Sequence, residues 1–249
     1  MIAASTRGLL HVWETQRCAH PVVRALHMLA AARPERGWSE WLHAPIGERD
    51  AALLSLHESL FGSELHTTAA CPRCGEGLES EFDVADVRSE SAARPPVPRS
   101  LRLQLQRQGY AVEYRLPTSD DLLQVTAQRG VAQDAALRLM RRCVSRAQRG
   151  GDDIDAAALP EAIVASLGAE MVRHDPDAEV RIALVCPACG ETTQTHFDIV
   201  GYLWSELDDW AQRVLADVHV LARAYGWSED AVLALSPARR QIYLDMVGA

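Results

Sequence analysis

Cys71-Pro72-Arg73-Cys74-Gly75-Glu76 leads, eleven residues after its first cysteine, to Phe82-Asp83-Val84. Cys186-Pro187-Ala188-Cys189-Gly190-Glu191 leads at the same spacing to Phe197-Asp198-Ile199. The pattern C-P-x-C-G-E-x5-F-D-[V/I] therefore occurs twice, which chance does not readily supply. Two thiols three positions apart grip one metal ion when the chain turns tightly between them. Pro fixes the backbone in that turn, and Gly after the second Cys permits positive φ. Each pair supplies two ligands and tetrahedral zinc takes four, so the sequence predicts that Cys71, Cys74, Cys186 and Cys189 share one structural Zn2+. Four thiolates leave no open coordination position, which argues against a catalytic ion. Two redox dithiols, or a disulfide pair, are the competing readings.

The flanks alternate. Leu78, Ser80, Phe82 and Val84 fall on one face with Glu79, Glu81 and Asp83 on the other. Thr193, Thr195, Phe197 and Ile199 alternate likewise with Gln194, His196 and Asp198. Each knuckle reads as the turn of a β-hairpin whose first strand covers about 65–70 or about 179–185. His196 reads as a strand-surface histidine, with a place beside the metal as the alternative. The predicted fold class is α+β and mainly helical: a split zinc ribbon of two β-hairpin knuckles, a β-hairpin-plus-helices insertion, and a C-terminal helical tail. The regions are 1–64 (N-terminal, helical), 65–88 (first knuckle hairpin), 89–178 (Arg-rich insertion), 179–199 (second knuckle hairpin) and 200–249 (C-terminal, helical).

Outside the knuckles, residues 8–33 read as helical with a break near Pro21. Pro45 suits the first turn of a stronger helix with the stripe Ala52, Leu53, Leu56 and Leu60, closed by Gly62. Residues 89–98 form the linker. Leu101, Leu103 and Leu105 then alternate with polar residues, and Gly109-Tyr110 turns the chain into Val112–Leu116, a hairpin. Thr118 or Ser119 caps a helix beginning at Asp120-Asp121. Helices are predicted at about 131–147 and 160–173, separated by Gly150-Gly151-Asp152-Asp153. In the tail, a long amphipathic helix from Val200 ends at Gly226, Ser228 caps the next, and Trp227 and Val232 form a hydrophobic staple. Ser236-Pro237 opens the last helix, with Arg239 and Arg240 predicted outward and Ile242, Tyr243, Met246 and Val247 inward. Cys18 and Cys143 fall within helical patterns as small core residues.

Composition narrows the function. A chain of 249 residues, 48% hydrophobic, can bury a sizeable core. No apolar run approaches the ~20 residues of a spanning helix. Met1–Arg7 lacks the layout of a signal peptide, so a cytoplasmic protein is expected. All basic residues except histidine are arginine, and there is no lysine or asparagine, which removes Schiff-base lysines and phosphate-loop lysines. No nucleophile–base pair or dinucleotide fingerprint is present, so a non-enzyme is expected, with an enzyme of unrecognised site as a further reading. Net charge is −9, yet Arg88–Arg149 holds twelve Arg against five acids. There Arg138, Arg142, Arg146 and Arg149 recur at helical spacing, with Arg141 alongside. This reads as a dock for an acidic partner or nucleic acid, or as a solvated or internally neutralised face. A nucleic-acid-binding zinc-ribbon protein is accordingly the alternative function. The tail as a DNA-reading helix-turn-helix is disfavoured, since from Val200 onward four Arg face seven acids.

Two stretches carry a family resemblance. Pro45-Ile46-Gly47-Glu48-Arg49-Asp50 leads through Leu60-Phe61-Gly62 to Cys71-Pro72-Arg73-Cys74-Gly75. Tyr225-Gly226-Trp227-Ser228-Glu229 leads through Leu235-Ser236-Pro237-Ala238-Arg239-Arg240 to Tyr243-Leu244. Together they resemble the baseplate hub assembly chaperones of T-even-type contractile phages, and their relatives in extracellular contractile injection system clusters. The insertion is not covered, and the knuckles fit the injection-system relatives better than the phage proteins. The resemblance implies a non-catalytic protein that assembles, or joins, the hub and spike region of a baseplate. Hub and spike proteins are the implied partners, and no membrane is involved.

Overall fold

The computed structural model describes residues 5–88, 103–128 and 132–248. The linker expected at 89–98, and Leu101, lie outside the described residues. In chain order the helices are α1 (Thr6–Gln16), α2 (Pro21–Ala32), α3 (Trp38–Leu42), α4 (Ile46–Phe61), α5 (Val84–Val87), α6 (Ser119–Thr126), α7 (Ala132–Arg142), α8 (Glu161–His174), α9 (Ile199–Tyr225), α10 (Glu229–Leu233) and α11 (Pro237–Met246). The strands are β1 (Glu64–Ala70), β2 (Gly77–Asp83), β3 (Leu103–Arg107), β4 (Tyr110–Tyr114), β5 (Val144–Arg149), β6 (Asp152–Ile154), β7 (Arg181–Val185) and β8 (Thr192–His196). They form the antiparallel sheets β1-β2, β3-β4-β5-β6 and β7-β8. Among the described residues the protein is α+β and mainly helical. No described helix is long and apolar enough to cross a membrane. The chain divides into two compact units, one of residues up to Glu35 and from Val200 onward, the other Arg36–Ile199.

Among the described residues the first unit holds helices and no strand. Along α9, Leu203, Leu207, Ala211, Val214, Val218 and Leu221 are buried at steps of three or four, a single core-facing stripe. Ser5 caps α1, and Pro21 occupies the first turn of α2, where its missing N–H costs nothing. Trp13 Nε1 donates to Asp208 Oδ1 at 2.7 Å, and the Arg24 guanidinium lies 4.4 Å from the Trp204 ring centroid. Ser228 and Ser236 cap α10 and α11 as read from the sequence. The face of α11 differs from expectation. Arg240 points inward and meets Asp217 Oδ2 at 3.1 Å, while Ile242 and Met246 are 53% and 68% exposed. The acid on α9 gives Arg240 a partner, so the inward stripe runs through Arg240, Tyr243, Leu244 and Val247 instead. Cys18 is also corrected: it is exposed, in the turn that follows α1.

In the second unit, α8 lays Ile163, Val164, Leu167 and Met171 against Val112, Tyr114, Ala147 and Leu159. The helix predicted at 131–147 stops at Arg142, and Val144–Arg149 is a strand. Ala147 stands between Val112 on β4 and Ile154 on β6, and Gly150 and Gly151 take φ of 61° and 101° in the two-residue turn that follows. The non-local pairing of β5 with β4 overrides its helical spacing. The expected arginine face is therefore broken: Arg138, Arg141 and Arg142 are on α7, Arg146 and Arg149 on β5. Cys143 is buried as expected, in the link between these two elements.

Part of the arginine between Arg88 and Arg149 is also internally paired. Arg115 Nη2 lies 2.7 Å from Asp121 Oδ1 and Arg142 Nε 3.3 Å from the same atom, while Arg146 Nε lies 2.9 Å from Asp153. Asp121 is fully buried and closes a capping box with Thr118 at the start of α6. Burial opposes its ionisation, but Arg115 and the Thr118 N–H hold its carboxyl below the ordinary carboxylate range.

Helix α4 begins one residue later than read, with Pro45 as its N-cap, and ends at Gly62 with φ of 98°. Pro45 bridges to Thr118, and the Ile46 N–H donates to the Pro117 carbonyl at 3.1 Å. The Gly47 N–H donates to Asp175 Oδ2 at 2.9 Å, and Arg49, almost fully buried, reaches Asp50 at 2.7 Å and Ser119 at 3.3 Å. The stretch Pro45–Asp50 is thus a junction where α4, α6 and the turn after α8 meet.

Candidate metal centre

Both knuckles are built by the same two backbone bonds. The Cys71 N–H donates to Glu76 O at 2.8 Å and the Gly75 N–H to Cys71 O at 2.9 Å; in the second copy Cys186 to Glu191 and Gly190 to Cys186 span the same distances. Gly75 and Gly190 sit at φ of 78° and 72°, a conformation that L side chains rarely adopt. The turns join β1 to β2 and β7 to β8, and hold each cysteine pair at the tip of a ladder. Beneath them Leu78 and Leu184 pack with Cys71 and Cys186. At the other end of the repeat, Phe82 and Phe197 meet edge to face, centroids 5.6 Å apart. The two hairpins therefore join at both ends of the repeated motif.

The four sulfurs converge. Cys71 Sγ is 3.7 Å from Cys189 Sγ, Cys74 Sγ is 3.6 Å from Cys186 Sγ, and all four atoms lie within 4.8 Å of one another. A tetrahedron with metal–sulfur arms of ~2.3 Å has edges of about 3.8 Å, which these separations match. Cys71 and Cys186 are buried, Cys189 is half-buried and Cys74 exposed. Backbone N–H groups of Cys74 and Arg73 aimed at Cys71 bring its thiol down to about 7. The Glu191 N–H pulls Cys189 the same way, yet desolvation and the three neighbouring sulfurs outweigh it and push that thiol up to about 12. A divalent cation among these sulfurs would supply the positive charge that crowded thiolates lack. The four residues can hold one metal ion, and His196, exposed on β8, is not among them.

Sequence reading missed a second feature of the same unit. A cavity of about 420 Å3 opens between α4, α7, α8 and the end of β8. Its walls include Ile46, Leu54, Met140, Met171, Val172 and Phe197, and Asp50, Asp175, Asp177, Glu179 and Asp198 also line it. Burial raises the Asp50 carboxyl against the pull of Arg49. Asp175 is pushed up to about 6, first by burial, which the Gly47 N–H opposes, and then by Asp177, Asp50 and Glu48. These residues are scattered from 46 to 198; the one local signal was a glycine inside the first turn of a strong helix.

Fold and site together define a small α+β protein whose two hairpins bring four cysteines into one metal-competent cluster. A family model described as T4 bacteriophage base plate protein matches residues 35–203, and the chain belongs to that family. Comparison with curated proteins and with solved structures gives no match. The matched span runs within a few residues of the second unit, Arg36–Ile199, and includes both knuckles. Of the two stretches that carried the resemblance, Pro45–Gly75 lies inside it and Tyr225–Leu244 outside.

Proposed function

We propose that Cys71, Cys74, Cys186 and Cys189 hold one structural zinc ion, forming a split zinc ribbon. On this reading the protein is a non-catalytic assembly chaperone or structural adaptor for the hub and spike region of a phage-tail-like contractile injection system. The observation that carries the proposal is the base plate family match, which spans both knuckles. Base plate proteins work by contact with other base plate proteins, and a closed thiolate site suits a part that must hold its shape rather than turn over a substrate. An all-sulfur tetrahedral donor set accepts zinc or iron. The internal pairing of Arg115, Arg142 and Arg146 weakens the nucleic-acid alternative, because paired guanidinium groups are less free to replace counterions on phosphate. The protein acts in the cytoplasm, as a transient chaperone or a retained part of the particle.

The test is a pull-down from cells carrying the native gene neighbourhood, with zinc and iron quantified on the same sample. Recovery of hub or spike proteins with one zinc per chain supports the proposal. Zinc without any baseplate protein would leave the ribbon standing and remove the assembly role.

A further inference from the structure

The cavity of the second unit is within the size range of ligand pockets, and its lining is split in character. Methionine, valine and phenylalanine form walls, while five acids stand around the same space with His196 and one arginine, Arg49, already bonded to Asp50 and Ser119. Asp175 is 8% exposed; it accepts the Gly47 N–H, and among the described residues no arginine or histidine pairs with it. A buried carboxylate with one neutral donor is electrostatically incomplete. A bare metal ion is not the missing partner. Hard cations need oxygens converging from all sides, and among the described residues only the four cysteines converge closely enough to hold one. What fits apolar walls and an acidic lining is a cation carried on an apolar stem.

We propose that this cavity is the docking pocket for an arginine side chain of a partner base plate polypeptide. Its stem lies against Met140, Met171 and Phe197, and its guanidinium meets Asp175, with Asp177 and Asp198, which keep partners of their own, adding negative charge around it. Arginine suits the place because its planar fork addresses more than one carboxylate at once and it is more weakly hydrated than an ammonium. A buried arginine anchor in a desolvated pocket is also a common strong point of protein interfaces. The inference uses the family membership alone. It survives if the chaperone role or the zinc assignment fails, and can itself fail while both stand.

The test uses methyl-13C-methionine NMR on the full, metal-loaded chain. Met140 and Met171 line the cavity, and Met28 and Met246 belong to the other unit and serve as controls. The probes are N-acetyl-arginine methylamide and its neutral isostere, N-acetyl-citrulline methylamide. The expected result is saturable movement of the Met140 and Met171 methyl signals with the arginine probe, and binding at least about tenfold weaker with citrulline. Asp175→Asn, which can keep the acceptor for Gly47, and Asp198→Asn, on an exposed position, should each weaken the arginine probe several-fold. Equal affinity for the two probes, no movement at Met140 and Met171, or an arginine response that neither substitution changes would each overturn the proposal.

Discussion

Gly75 and Gly190 meet nothing within 4 Å of where a Cβ would stand, so any cost of a side chain there is purely one of backbone. Alanine at either position is expected to cost about 1–2 kcal/mol through the left-handed φ alone. Comparing chemical denaturation of Gly75→Ala and Gly190→Ala with the parent checks this; an unchanged midpoint would mean the turns are not held as described. Asp175 poses the opposite case, a carboxylate disfavoured by where it sits. Its carboxyl is raised to about 6 from 3.8, so the folded state binds this proton more tightly than the unfolded chain does. Stability from this group is therefore fully present below pH 4 and is lost as pH rises through about 6. Asp175→Asn is expected to stabilise the protein by up to about 3 kcal/mol at pH 7, with no gain near pH 4. The difference between the two proteins is the quantity to follow, since any pH dependence of the four-cysteine cluster is common to both. A gain independent of pH would contradict the burial account. The neighbours that set it are Asp177, Asp50 and Glu48, with the Gly47 N–H opposing.

Helix α4 shows why an element can be read from sequence while its docking cannot. Pro45 and Gly62 bracket it, and its apolar stripe places Ala52, Leu53 and Leu56 in the core. Its contact with the turn after α8 depends on Gly47, whose Cβ would stand 2.0 Å from Asp175 Oδ1 and 2.9 Å from the Ala178 nitrogen. Helix propensity favours alanine over glycine by about 1 kcal/mol, but overpacking against backbone costs about 1–3 kcal/mol or more. Gly47→Ala is accordingly expected to destabilise, and a higher thermal midpoint for that variant would refute the close approach. The knuckle hairpins were legible for a different reason: the repeat supplies ligand, turn glycine and strand alternation within one short window. Strand β5 was not legible, because Val144–Arg149 carries helical arginine spacing and becomes a strand only by pairing with β4 and β6. The face of α11 turned on Asp217 of another helix, and the short α3 carries too few residues for a periodic signal. The convergence of the four cysteines could be foreseen from spacing. The cavity could not, since Asp50, Asp175 and Asp198 meet only through tertiary packing.

At the scale of the whole molecule, the span matched by the base plate family and the compact unit Arg36–Ile199 nearly coincide, and the four-cysteine cluster ties the beginning of that unit to its end. With a metal held by the four cysteines, everything between Cys74 and Cys186 would be a closed loop, and closure of so long a loop restricts the unfolded chain strongly. Structural zinc contributes ~10–16 kcal/mol in small peptides; a unit with its own apolar core, including Leu78 and Leu184 beneath the cysteines, would depend on it less. The most direct measurement is metal content and stability of the purified chain beside Cys71→Ser, Cys186→Ser and the double variant. The account expects one zinc per parent chain, none retained in either single variant, and a double variant no less stable than the worse single one. Zinc content that is equal in parent and variants, or losses that simply add, would contradict a single shared site.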